Sequence, residues 1–277
     1  MLFLVSTPIG NLSDITLRGK EILQSVDLIA CEDTRTTKQL MTLLGLKCPP
    51  LTPYHEHNAD EARPALIDKL KKGVNIALVS DAGTPLISDP GYRLVREAQE
   101  LGLAYTTVPG ANAVLSALQL SGLPSDSFYF GGFLPHKSVA RQNALNGVKN
   151  LAATLIFYET PHRLQGALDD ILRVLGNRQM AVVREITKKF EEAKRMSVSD
   201  LIDFYAQNGA PKGELVLVID RPHAQDDKMN EDDIKRLIIQ TFQNASLKDT
   251  AELVAGMTGI HKKQIYKMAL DIQNEKD

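Results

Sequence analysis

The sequence predicts an α/β fold built on mostly parallel sheets. Short apolar runs of strand length recur from Leu2 to Ile219, each ends in a small polar loop, and most loops lead into a helical pattern closed by glycine. Leu2–Val5 is the first strand, with Ser6-Thr-Pro-Ile-Gly-Asn11 as its loop and Thr16–Gln24 as the helix that follows. Leu28–Ala30 is a short strand and Thr36–Leu44 a helix stopped at Gly45. Ala59–Lys72 is a long amphipathic helix stopped by Gly73. Ile76–Val79 and Tyr105–Val108 are strands, and Tyr92–Leu101 between them is a helix stopped at Gly102. This alternation requires crossover helices on both faces of the sheet.

Asn112–Leu120 continues as a helix, Ser121–Ser125 as a linker, and strands resume at Phe128–Phe130. Thr154–Tyr158, Met180–Arg184 and Glu214–Ile219 are further strands, separated by helices at Arg163–Leu175 and Val198–Gln207. The second set suits a mixed sheet. Arg221–Lys228 is polar and linker-like, and Asp232–Gln243, Leu247–Met257 and Lys262–Ile272 carry helical patterns. Ser246 with Asp249 is an N-cap signature, Gly256 to Gly259 marks a turn, and the three helices form either a helix-turn-helix unit or a plain helical appendage. The expected organisation is an N-terminal α/β domain over 1–120, a C-terminal α/β domain over 121–221, and a linker with a small helical tail over 222–277.

The 277 residues are 43% hydrophobic and 24% charged, with a formal net charge of -2, so no global field favours nucleic acid or membrane. The apolar run Met1–Val5 is far too short for a signal-peptide core or a membrane span, and Cys31 and Cys48 read as reduced thiols. The expectation is a soluble cytoplasmic protein without a membrane partner.

Asn75–Gly91 carries the most information. A buried strand delivers Ser80-Asp-Ala-Gly-Thr-Pro85, and loops at the carboxyl ends of parallel strands are where open α/β sheets bind ligands. Asp81 suits a cation, whereas the N–H groups near Gly83 and Thr84 suit an anion. Ser6–Asn11 lacks both G-x-G-x-x-G and G-x-x-x-x-G-K-[ST], which disfavours a dinucleotide or a P-loop nucleotide. Pro109-Gly-Ala-Asn-Ala113 is a further loop of the same kind, and such loops from one sheet converge on one crevice.

Ser6-Thr-Pro-Ile-Gly-Asn-Leu-Ser-Asp-Ile-Thr-Leu-Arg18, Ala30-Cys-Glu-Asp-Thr-Arg35, Val79–Gly91, Val108-Pro-Gly-Ala-Asn112 and Phe157-Tyr-Glu-Thr-Pro-His-Arg163 occur in that order. Together they resemble the tetrapyrrole-methylase-like family of S-adenosylmethionine methyltransferases, in its branch that modifies ribosomal RNA. The resemblance runs from Leu2 to about Ile219, with a less specific match in the tail. It implies two α/β domains with S-adenosyl-L-methionine in the inter-domain cleft, and a homodimer. The reaction implied is methylation of the ribose 2′-hydroxyl of a cytidine in the decoding region of 16S rRNA, in the small ribosomal subunit. By motif, the donor pocket takes Pro8, Ile9 and Gly10 from the first loop and Gly83, Thr84, Pro85 and Ile87 from the central one. Asn112 and Ala113 come from the third, and Tyr158 from the second domain. Many relatives carry Asp where Thr84 stands, so Asp81 is a candidate for the carboxylate.

A ribose hydroxyl is a poor nucleophile, so a base or a polarising cation helps the transfer. Asp33 and Arg35 are candidates for proton acceptor and phosphate contact, with a helix cap beside a surface Arg as the alternative. Glu159 is a candidate to orient the ribose, with a structural pair to Arg163 as the alternative. The substrate side includes Tyr54, which could stack on a base, and His55 and Glu56. It also includes His162, Arg163, Arg184 and Lys188, and Lys262 and Lys263 in the tail. His55-Glu-His57 lacks partners at a metal-ligand spacing, so no metal is expected. Basic stretches at 137–149 (Lys137, Arg141, Lys149), 184–195 and 248–267 supply positive patches for RNA. A small-molecule methylase of the same fold and a non-catalytic ribosome-binding module are the competing readings.

Overall fold

The computed structural model describes residues 1–222, 231–242, 245–258 and 260–274. The expected linker at 221–228 and the turn at Gly259 lie largely outside them, as does Gln243. The described residues fall into two compact units, Met1–Arg221 and Pro222–Asp277.

In the larger unit β1 (Leu2–Val5), β2 (Leu28–Cys31), β3 (Leu51–Pro53), β4 (Ile76–Val79) and β5 (Tyr105–Val108) form a sheet of order β3-β2-β4-β1-β5. Every pairing in it is parallel. Side chains alternate between its faces, as the pleat requires. Leu28, Ala30, Ile76 and Leu78 pack against α3 (Ala59–Lys71) and α4 (Tyr92–Glu100), while Ile29, Cys31, Ala77 and Val79 pack towards α1 (Leu17–Ser25) and α2 (Thr34–Leu43). Burial on both faces explains why these strands read as unbroken apolar runs. Parallel register also brings the carboxyl ends of β1, β2, β4 and β5 to one edge.

The second sheet has the order β6-β7-β10-β8-β9, from β6 (Phe128–Phe133), β7 (Thr154–Glu159), β8 (Gln179–Arg184), β9 (Glu192–Ser197) and β10 (Leu215–Ile219). It is mixed, with β6–β7 parallel and the other pairs antiparallel. One face packs on α6 (Ser138–Val148), α7 (Leu164–Leu175) and α8 (Val198–Asn208). The other face is covered by α5 (Ala113–Ser121), whose Val114, Ala117 and Leu118 pack with Ile156, Ala181, Val183, Val216 and Val218. Although α5 follows directly from the first sheet, its packing places it with the second. The joint between the sheets is therefore the short loop 109–112.

Elements β3, β9 and α6 go beyond the sequence expectations. In α6, Arg141 is buried rather than part of an RNA-facing patch. Its guanidinium pairs with Asp170 at 2.7 Å, both side chains being under a tenth exposed, and donates to the Gly166 carbonyl at 3.1 Å.

The smaller unit comprises α9 (Glu231–Phe242), α10 (Leu247–Thr258) and α11 (Lys262–Asn274), close to the expected boundaries, except that Gly256 lies inside α10 rather than in a turn. Ile234, Ile238, Ala251, Val254, Ile265 and Ala269 form its own core. The Ser246 hydroxyl accepts the Asp249 N–H at 3.3 Å, the N-cap expected there. Lys262 pairs with Glu252.

Removing one partner of a buried ion pair strands the other charge. Asp170→Ala should lower the stability of the larger unit by about 3 kcal/mol in urea titration, and Lys137→Ala on the same helix should leave it unchanged.

Candidate active site

The loops after β1, β4 and β5 are tied together at one hydroxyl. Thr84 Oγ1 donates to the Ala111 carbonyl at 3.1 Å, and accepts from Ser6 Oγ at 3.2 Å and from Asn112 Nδ2 at 3.2 Å. One donor and two lone pairs are all that a hydroxyl has, so Thr84 is saturated. A two-way backbone bridge reinforces it, with Thr7 N–H to Gly83 O at 2.8 Å and Gly83 N–H to Thr7 O at 3.1 Å. Gly83 lies at φ +84, and a Cβ there would sit 3.3 Å from the Ile9 side chain. Asn112 also caps α5, accepting the Leu115 N–H at 3.0 Å.

These loops form one wall of a cavity of about 300 Å³. Ile9, Gly83, Thr84, Ile87, Asn112 and Ala113 line it from the first sheet's side, and Tyr158, Glu159, Phe133, Glu214 and Val216 from the second. Tyr158 packs edge-on to Phe130 at 5.0 Å between ring centres, and Phe133 tilts over it at 5.3 Å. Burial, with Asp89 and Glu214 nearby, pushes the Tyr158 hydroxyl up to about 12, so it remains a neutral donor.

Seven of the expected donor-pocket residues thus meet at this cavity, with Glu159 beside them, whereas Pro8, Gly10, Asp81 and Pro85 are not part of its lining. Pro85 is buried beneath the loop. Gly10 is covered instead by Lys188, because a Cβ built there would come within 2.5 Å of that side chain. The Asp81 carboxylate accepts the Asp33 N–H at 3.1 Å and so braces the loop after β2. Its pKa is raised by burial and then by the neighbouring Asp33.

Asp33 departs from its expected role as proton acceptor. It caps α2, accepts the Arg35 N–H at 2.7 Å and grips the Arg35 guanidinium at 2.7 Å. The hydrogen bonds from Arg35 hold its pKa at about 2, which makes it a weak base. The Arg35 side chain is 89% exposed and remains available to a phosphate. Glu159 is buried beside Arg163, with 3.2 Å between Arg163 Nε and Glu159 Oε1, and it accepts the Thr160 N–H at 2.8 Å. Arg163 also donates to the Leu134 carbonyl, and its side chain is 10% exposed, so it braces β7 rather than awaiting a phosphate. His162 is exposed and lies 3.4 Å from the Thr160 hydroxyl. Tyr54 is 1% exposed within the first sheet's core, which excludes stacking on an RNA base in this conformation. Arg184 pairs with Glu192 at 2.8 Å, and Lys188 with Glu185 and Glu214 at 3.1 Å each. His55 donates its N–H to Asn58, and Glu56 lines a second groove. Lys262 and Lys263 belong to the smaller unit. Among the described residues no three His, Cys, Asp or Glu gather to hold a metal.

The second groove opens beside the cavity. Glu32, Glu56, Asp60, Tyr92 and Arg93 line it, and it shares Ser88 and Asp89 with the cavity. Asp89 was not among the sequence candidates. Its only signal was its place at the end of the Asn75–Gly91 loop, where Leu86 (φ 74) and Ser88 (φ 64) take left-handed conformations that only glycine adopts freely. Burial, followed by the charges of Glu32 and Asp81, raises the Asp89 carboxyl to about 6.

Comparison with known proteins accounts for this arrangement. Residues 1–202 match the family model described as Tetrapyrrole (Corrin/Porphyrin) Methylases. The chain belongs to the tetrapyrrole methylase family, and is accordingly an S-adenosylmethionine-dependent methyltransferase. Among curated relatives, Ribosomal RNA small subunit methyltransferase I of Mesorhizobium japonicum is 46% identical over 274 residues, covering 99% of this chain and 92% of that one. The protein of the same name from Escherichia coli O157:H7 is 44% identical, covering 98% and 95%, and that from Bacillus subtilis is 40% identical, covering 98% and 89%. Solved structures share the fold at lower identity. Diphthine synthase gives a TM-score of 0.61 at 16% identity, covering 79% of this chain and 89% of that one. Uroporphyrin-III-C-methyltransferase from Thermus thermophilus gives 0.54 at 20%, covering 78% and 93%.

The cavity suits the family's donor. Its walls are largely apolar, as an adenosine needs. S-adenosylmethionine supplies an activated methyl group when bound. The lining residues named above would hold it and orient that group.

Two outcomes follow. Thr84→Val leaves Ser6 and Asn112 without their acceptor and should weaken donor binding about tenfold by calorimetry, with Thr84→Ser restoring it. The raised Asp89 carboxyl holds a proton in the folded chain that the unfolded chain has already lost. Its contribution is therefore neutral below the unfolded value near 4 and becomes a loss of stability as pH rises through about 6. Asp89→Asn should consequently unfold at a higher temperature than the native chain at pH 7.5, with the gap closing by pH 4.

Proposed function

We propose that this methyltransferase modifies the RNA of the small ribosomal subunit, at the ribose 2′-hydroxyl of a cytidine in the decoding region of 16S rRNA. The observation that carries the reading is identity of 40–46% over nearly the whole chain to enzymes named as ribosomal RNA small subunit methyltransferase I. The geometry supports it. The cavity adjoins a groove edged by the exposed Tyr92 ring, a face on which a base can stack. A ribosome-binding module without catalysis has no use for loops from three strands tied together around a donor cavity.

Cavity residues do the binding in this reading. Ile9, Gly83, Thr84, Asn112 and Ala113 seat the donor, and Tyr158 closes over it. Arg35 meets the RNA backbone, Glu56, His162 and Lys188 flank its path, and Lys262 and Lys263 of the smaller unit are separate RNA contacts. The enzyme acts as a cytoplasmic homodimer, an assignment drawn from the family resemblance and tested by light scattering. Among the described residues no helix is long and apolar enough to cross a membrane.

The deciding assay incubates the protein with radiolabelled S-adenosylmethionine and unmodified 30S subunits, then digests the RNA to nucleosides. Label in 2′-O-methylcytidine is expected, and label only in a base-methylated nucleoside would overturn the assigned atom. Arg35→Ala should raise the KM for 30S subunits about tenfold and flatten its salt dependence by roughly one charge, with donor binding untouched.

A further inference from the structure

We propose that Asp89 is the catalytic base, taking the proton of an acceptor hydroxyl that enters through the groove beside the donor cavity. The inference rests on the ribose-methylating reading above and assigns that reaction a residue.

Position is the first argument. Asp89 and Ser88 are the two residues that line both the donor cavity and the groove, so they form the partition at which donor and acceptor meet. Methyl transfer to oxygen needs the acceptor behind the methyl group, close to the donor but reached from another direction. A carboxylate on the partition faces that meeting point. The loop also holds it there at a cost, since Ser88 is left-handed at φ 64 and Leu86 at φ 74. Gly91 lies at φ +131, where a Cβ would come within 2.7 Å of the Leu78 side chain. Strained backbone next to a binding cavity persists where the aim of a side chain matters.

Comparison with the neighbouring groups is the second argument. From the first sheet's loops Asp89 faces Ser80, Glu32 and Asp81, and from the second sheet Tyr158 faces it. Glu159 and Glu214 share its cavity, and Glu56, Asp60 and Arg93 its groove. Arg93 is committed to Asp60 at 2.7 Å, and no ion pair to Asp89 occurs among the described residues. Asp33 is clamped by Arg35 and too acidic to accept a proton, while the Tyr158 hydroxyl is too weakly acidic to ionise. Asp89 lies between these extremes at about 6, ionised at neutral pH yet basic enough to accept.

The step balances. The ribose oxygen forms a bond to the methyl carbon, and the carbon–sulfur bond breaks with its electron pair remaining on sulfur, so that the sulfonium becomes a neutral thioether. The hydroxyl proton passes to a carboxylate oxygen of Asp89 and then to solvent through the groove.

The test uses full-length protein, labelled S-adenosylmethionine and unmodified 30S subunits. Asp89→Asn should slow single-turnover methyl transfer at saturating substrates at least about 100-fold, while donor affinity by calorimetry stays within twofold and unfolding occurs at no lower temperature. The native rate should rise with pH and level off above about 6, and the substitution should remove that rise. Asp89→Glu keeps a base one methylene farther out and should slow transfer while retaining the pH dependence. Transfer by Asp89→Asn within threefold of native, or a fall in donor affinity matching the fall in rate, would overturn the assignment. Should Asp89→Asn fail to fold, an Asp89→Glu enzyme with native rate and no pH dependence would overturn it equally. Native protein that leaves 30S subunits unlabelled defeats the rRNA reading itself, an outcome distinct from active native protein with an equally active Asp89→Asn.

Discussion

The saturated hydroxyl of Thr84 is the constraint on which the donor cavity depends. Parallel strands bring several loops to one edge of a sheet, but nothing in strand geometry gives those loops a fixed mutual shape. Here one side chain receives Ser6 from the first loop and Asn112 from the third, and donates to the backbone of the third. The paired backbone bonds between Thr7 and Gly83 set the spacing of the first and second loops. A carboxylate at position 84 would accept from the same two donors, but it could not donate to the Ala111 carbonyl.

Around that frame the titratable groups divide according to their surroundings. Asp33 sits among donors and stays ionised, whereas Glu32, Asp81 and Asp89 are drawn into partial burial near one another, so that each is harder to ionise. The carboxylates thus differ in chemistry although they come from adjoining loops. A similar division applies to the cations. Arg141 and Arg163 are consumed by the fold of the second sheet and its helices, while Arg35 projects into solvent.

Much of this was legible in the sequence. Strands buried on both faces announce themselves as apolar runs, and the loops after β1, β4 and β5 read as converging on one crevice, which the structure shows as a cavity lined by Ile9, Gly83, Thr84, Asn112 and Ala113. Edge elements were hidden. β9 carries three charges, Glu192, Lys194 and Arg195, in six residues, as suits an exposed edge, and β3 is three residues long with a proline. The helix α6 was masked by the basic stretch 137–149, of which Arg141 proved to be buried against an acid 29 positions further on. Tyr54 looked like a stacking residue because the core that buries it is assembled from positions as distant as Leu2 and Ala98. Asp89 escaped notice for the converse reason, since its importance comes from two cavities meeting, which no local pattern records.

The packing of α5 on the second sheet has one more consequence. Residues 109–112 are the single covalent passage from one sheet to the other, and the end of that passage, Asn112, also lines the donor cavity. A molecule seated there is walled by residues from both sheets' sides. Cofactor occupancy and the mutual attitude of the two sheets are therefore linked quantities, and each biases the other by the same free energy.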